Sequence, residues 1–211
     1  SAFALDFHAI PYRGEHKTLE NHFVPSKGKA QPAILTCFAR SIDPPMLCYA
    51  DADITNADKP DMILQFINYW KQITGIVPDW LYFDSKMTPY KSLHCLNTYP
   101  DKKIYFITIR RRGSALIKKL LAVPDTQWKN AVIDTPQRKH QKIKYLDTFV
   151  KLNDYKGKCR QIAVRGLGRA RPTLFLTNND EITGREVVLR YTPRNYIEND
   201  IGINVNFFHM D

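Results

Sequence analysis

Residues 80–96 read WLYFDSKMTPYKSLHCL. The stretch carries a complete change of backbone period. Trp80 to Phe83 is a short apolar, aromatic run of strand character, and such residues fit a half-buried pleated surface. Asp84 ends the run, a polar turn follows, and TPYKSLHCLNTYP reads as a helix. Strand, carboxylate, turn and helix in that order form a local unit of a layered α/β protein, with Asp84 at the C-terminal end of its strand.

Upstream, FALDFHAI (3–10) reads as a first strand, and a polar loop follows from Tyr12 to Gln31. Two apolar runs, PAILTCFARS (32–41) and PPMLCYADADI (44–54), are parted by a turn at Asp43-Pro44-Pro45. This is a meander signal. From Asp58 to Thr74 the apolar positions Met62, Ile63, Phe66, Ile67, Trp70 and Ile73 fall on one helical face. Asn56 or Asp58 is a candidate cap and Gly75 a stop. Downstream, KIYFITIRR (103–111) reads as another strand. The order so far predicts a mixed sheet flanked by helices.

The stretch from Gly113 to Arg171 differs in character. WKNAVIDT (128–135), IKYLDTFVKL (143–152) and CRQIAVRGL (159–167) are three β-like runs between basic polar segments. RPTLFLTNN (171–179) reads as a last strand, and 182–204 as mostly helical, with Pro193 as a kink or a fresh start. The expected organisation is a core in two parts, 1–113 and 172–211, interrupted by a basic β-rich insertion, 114–171.

Charge follows the same division. The 211 residues carry net +10. Between Lys102 and Arg171, 19 Lys and Arg face 4 Asp, a net +15, which leaves net −5 for the flanks. A cationic block of this size suits a polyanion, since neutralised phosphates release condensed counterions. The alternative is a merely solvated basic surface. No apolar stretch approaches the length of a membrane span. The N-terminus opens as a strand, without the basic and apolar regions of a signal peptide, as expected of a core cut from a longer chain. Cys37, Cys48, Cys95 and Cys159 form no C-x-x-C pair or zinc-finger spacing, so reduced thiols are expected. No phosphate-binding G-x-x-x-x-G-K-[ST] or G-x-G-x-x-G is present, and GLGRAR (166–171) reads as a basic turn. Asp51 and Asp53 read as turn and cap residues, and His16 and His22 as loop residues.

Three carboxylates stand out: Asp6 inside an apolar strand, Asp84 at a strand end, and Glu198 on the last helix. An ionised acid in an apolar strand is costly unless compensated, and a divalent cation compensates it. A strand-edge acid facing water is the alternative. Tyr191, Arg194 and Glu198 are spaced three and four apart, on one helical face, which on spacing alone also fits a surface ion pair.

Together these residues resemble the DDE transposases of bacterial insertion sequences, the cut-and-paste kind with a β-rich insertion between the second Asp and the Glu. Asp6 in LDFHAIPYRG matches their first catalytic Asp, and Asp84 in WLYFDSKMTPYKSLHCL their second. Tyr191, Arg194 and Glu198 in REVVLRYTPRNYIENDIG match the Y-x2-R-x3-E part of the signature Y-x2-R-x3-E-x6-K. Val205 stands where its Lys would fall.

The resemblance implies a ribonuclease H-like fold and two Mg²⁺ or Mn²⁺ ions held by Asp6, Asp84 and Glu198. It implies phosphodiester hydrolysis and strand transfer at transposon ends, with Tyr191 and Arg194 on a phosphate. DNA contacts are expected from Arg110, Arg111, Arg112, Lys142, Lys144, Arg165, Arg169 and Arg171. Trp128 is a candidate to stack a flipped base. A homodimer on DNA and a bacterial cytoplasmic, nucleoid-associated location are implied in the same way. Two other readings remain: a non-catalytic DNA-binding derivative, and a structure-specific nuclease of the same fold.

Overall fold

The computed structural model describes residues 1–12, 14, 19–87, 89–136 and 138–208; His16 lies outside them. Among the described residues the chain forms a ten-stranded mixed sheet and five α-helices.

The first part is β1 (Ala2–Pro11), β2 (Asn21–Val24), β3 (Lys29–Ser41), β4 (Met46–Asp51), α1 (Met62–Thr74), β5 (Trp80–Phe83), α2 (Tyr90–Asn97) and β6 (Tyr105–Ile109). β1 pairs antiparallel with β3, which pairs antiparallel with β4, as the meander signal predicts. β5 then joins the other side of β1 in parallel, and β6 joins β5 in parallel. Parallel neighbours need crossover connections; α1 and α2 supply material for them. The helix α1 begins later than its capping candidates suggest. Asp58 instead accepts from the backbone N–H and hydroxyl of Thr55, holding the turn before the helix, and Asp61 precedes Met62 without a side-chain cap.

The middle part is α3 (Ser114–Leu121), β7 (Lys129–Thr135), β8 (Arg138–Leu152), β9 (Tyr155–Arg165) and β10 (Thr173–Thr177). These strands continue the same sheet: β10 pairs antiparallel with β6, and β9, β8 and β7 follow outward in order. The β8–β9 hairpin closes at Asn153-Asp154, with Asp154 at φ +59°. Asn and Asp tolerate this left-handed conformation, which two-residue hairpins need.

Two helices complete the chain, α4 (Gly184–Tyr191) and α5 (Arg194–Phe208). Thr183 and Glu186 form a reciprocal capping box at the start of α4. Gly184 lets that start approach β8, because a Cβ there would meet the Tyr145 ring at 2.4 Å. Thr192 and Pro193 separate the helices, and their carbonyls accept from Asn195 and Tyr196 in the first turn of α5. Pro193 thus opens a new helix, where its missing N–H costs nothing.

The sheet alternates cleanly. Phe3, Leu5, Leu81, Phe83 and Phe106 pack with α1 and α2 on one face. Tyr82, Ile107, Ile143, Ile162 and Phe175 pack with α4 on the other, where Ala4 meets Ile197, Ile201 and Val205 of α5. No described helix is long and apolar enough to cross a membrane.

Candidate functional site

Register sets the centre of the site. Leu5 of β1 lies beside Phe83 of β5 in parallel pairing. The next residues, Asp6 and Asp84, therefore sit side by side where the two strands part. Both follow residues of the α1/α2 face, so both turn to the α4/α5 face. The crevice outside the carboxyl ends of adjacent strands is the usual ligand position in open α/β sheets.

Helix α5 brings the third carboxylate. Its inner face is fixed by Ile197, Ile201 and Val205, and by Arg40 of β3, whose Nε donates to Asp200 at 2.6 Å. Val205 is buried against the sheet, so the position matching the signature Lys holds a packing residue. Arg194, buried at the first turn, lies between two acids. Its Nη2 is 2.8 Å from Asp6 Oδ2, and its Nη1 donates to Glu198. Arg194 and Glu198 thus do pair as their spacing allows, and the same guanidinium also takes Asp6.

The electrostatics follow from burial. Desolvation pushes the Asp6 carboxyl up to about 6; Arg194 pulls it back, while Glu198 and Asp84 push further. Burial also works to lower Arg194, but the charges of Asp6, Tyr191, Glu198 and Asp84 outweigh it and its pKa rises. Tyr191 is buried, its hydroxyl donates to the Phe83 carbonyl at 3.4 Å, and burial pushes its pKa up. Asp84, Glu198, Tyr191 and Arg194 share one cleft of about 520 Å³ with Arg138, Gln141 and Arg169 from the middle segment.

Among the described residues no three His, Cys, Asp or Glu side chains form a ready metal-binding group. The guanidinium of Arg194 holds Asp6 and Glu198 instead. The donor chemistry nevertheless fits a hard divalent cation, which takes carboxylate oxygens. Asp84 and Glu198 line the cleft, Arg194 ties Glu198 to Asp6, and burial holds the Asp6 carboxyl high.

No protein-family model and no curated protein matches this chain.

The basic candidates divide. Arg111, Lys142, Arg169 and Arg171 are exposed. Arg110 donates to the Gln161 side chain, Arg112 to the carbonyls of Arg171 and Pro172, and Lys144 to Asp125. Alternation along β8 also separates them: Gln141 lines the carboxylate cleft, whereas Lys142 and Lys144 line a groove on the opposite face with Arg165.

Trp128 is corrected by the geometry. It is 4% exposed, packed with Leu120, Ala163 and Leu174, and its ring is covered by the Arg165 guanidinium at 3.8 Å. Arg165 also donates to the Leu120 carbonyl at 3.0 Å. A base could stack there only by displacing Arg165, so both residues serve the packing of α3.

Sequence reasoning missed Arg138 and Gln141 as cleft residues. Their only signal was membership of the cationic block; the pairing of β7, β8 and β9 brings them over a site whose acids lie far off in sequence on either side.

Proposed function

We propose that the chain is the catalytic core of a DNA transposase that cuts and joins phosphodiester bonds with divalent metal ions. The observation that carries this reading is that Asp6 and Asp84 each follow the last paired residues of parallel β1 and β5, Leu5 and Phe83, and that Arg194 ties Asp6 to Glu198. The ribonuclease H-like assignment is supported by the β4-β3-β1 meander fused to parallel β5 and β6. The order Asp, Asp, basic β-rich segment, Tyr-x2-Arg-x3-Glu supports the transposase assignment within that class.

Asp6, Asp84 and Glu198 would hold the ions. When bound, these ions supply Lewis acidity and a nucleophilic water or 3′-hydroxyl for in-line displacement. The chain's own residues do the rest. Arg194 orients Asp6 and Glu198 through the two arms of its fork. Tyr191 braces the end of β5 through the Phe83 carbonyl. Arg138 and Arg169 extend positive charge along the cleft where a DNA backbone would lie.

The test is cleavage of supercoiled plasmid DNA with Mg²⁺ or Mn²⁺ by the native chain and by Glu198→Gln. The proposal expects nicking that needs the metal and is lost in the variant. Absence of cleavage by the native chain, or equal cleavage by the variant, overturns it.

A further inference from the structure

A second cavity, of about 470 Å³, opens on the α1/α2 face of the same strand ends. Its walls come from the segment after Asp84, from the loop before α1, from α2, and from the ends of β6 and β10. Three cations line it: Lys59, Lys86 and Arg111, against one carboxylate, Asp154. Lys59 and Lys86 stand close enough to repel. Burial lowers the pKa of Lys59, Glu20 opposes this, and Lys86 adds to it. Lys59 is positioned by Asn56, to whose side-chain oxygen it donates.

The cavity also contains an unusual polar group. Thr108 is 3% exposed, lies at the end of β6, and its hydroxyl has no hydrogen-bond partner among the described residues. A buried unpartnered hydroxyl is a cost in the folded state, and a ligand oxygen would remove it. The remaining wall is apolar and aromatic, with Tyr90, Leu93 and Leu176. Cations at the mouth, a hydroxyl in the wall and an aromatic edge together match one nucleotide, phosphate outward and base or sugar inward. The surplus of positive charge excludes a cation as the ligand.

We infer that this cavity seats one nucleotide of a single DNA strand that runs past Asp84, with its phosphate at Lys59, Lys86 and Arg111. The strand assignment rests on the proposed function, since Asp84 turns to one face and Ser85 and Lys86 border the cavity on the other. A strand entering the carboxylate cleft would thereby be held on both sides of the sheet end.

The experiment is fluorescence anisotropy of a labelled single-stranded thymidylate dodecamer, between about 50 and 200 mM salt. Lys59→Gln/Lys86→Gln should weaken binding at least tenfold and lower the salt slope by about 1.4, roughly 0.7 for each lost contact. Thr108→Val should weaken binding severalfold with the slope unchanged, and Thr108→Ser should restore it. Far-ultraviolet circular dichroism confirms that each variant folds; the two Lys changes leave the core untouched. An unchanged affinity and slope in the double variant overturns the inference. So does thymidine monophosphate competing as tightly as the oligonucleotide, which would make this a free-nucleotide site. If the slope responds as expected but the native chain never cleaves DNA, the pocket stands and the transposase reading falls. If cleavage persists while the slope is unmoved, the reverse holds.

Discussion

Replacing Asp6 by Asn should remove part of the pH dependence of stability. Asp6 makes a 2.8 Å ion pair with Arg194, which alone would hold its carboxyl low. Burial wins, and the folded protein titrates Asp6 near 6 rather than at its ordinary 3.8. Between those values the folded state keeps a proton that the unfolded state has released, so stability falls as pH rises through the window. Below about pH 4 both states hold the proton and no penalty exists; above about pH 6 the penalty is complete. A displacement of roughly two pH units is worth about 3 kcal/mol, and the side chain is only 18% exposed, so screening removes little of it. The amide that replaces the carboxyl cannot titrate. Urea unfolding at about pH 3.5 and about pH 7.5 should therefore show Asp6→Asn gaining about 3 kcal/mol on the native chain across the interval. With slopes of about 1–3 kcal/mol/M, that is a relative midpoint shift of at least about 1 M. Parallel pH profiles, or a native chain that gains on the variant as pH rises, would refute the reasoning and show Arg194 to dominate.

Other outcomes follow from the same geometry. Arg160 is buried, grips Asp147 at 3.0 and 2.6 Å, and donates to the carbonyls of Asn179 and Ile182 ahead of α4; Arg160→Met should cost about 3–5 kcal/mol in chemical denaturation, by stranding a partly buried Asp147, and a loss below about 1 kcal/mol would contradict that. Trp128→Ala should cost about 3–5 kcal/mol of stability and leave the DNA affinity of the folded fraction unchanged in anisotropy; a stable variant that has lost DNA binding would return Trp128 to the interface. Arg138→Gln/Arg169→Gln should lower the salt slope for duplex DNA by about 1.8, roughly 0.9 for each phosphate contact, whereas Lys144→Gln, already paired with Asp125, should move it far less; equal effects would place the DNA on the wrong side of the sheet.

The parts of the fold legible in sequence are those whose pattern is local. α1 shows its stripe from Met62 to Trp70, and β5 announces itself by four apolar residues before a carboxylate. β2 was hidden, since NHFV is a strand only by pairing with Lys29–Pro32 of β3. α3 was hidden as well. Its eight residues sit in a β-rich, basic context and are held by burying Ile117 and Leu120, the latter against Trp128, which no short-range period reveals. The acids of the site were legible because Asp6 interrupts an apolar strand, Asp84 ends one and Glu198 lies on a helix face. Their neutralisation by Arg194 was half legible: the i, i+4 pair with Glu198 is a spacing, but Asp6 and Arg194 stand near opposite ends of the chain and only the docking of α5 on β1 brings them together. The fate of the basic residues depended on a one-residue alternation along β8, which sends Gln141 to the cleft and Lys142 away from it.

The central claim is that Asp6, Asp84 and Glu198 act as one site for divalent ions. Electron paramagnetic resonance of Mn²⁺ titrated into the native chain, Asp84→Asn and Glu198→Gln tests it most directly. The native chain should bind saturably, with binding abolished or weakened at least tenfold in Asp84→Asn and weakened in Glu198→Gln. No binding by the native chain, or binding that neither substitution affects, would contradict it.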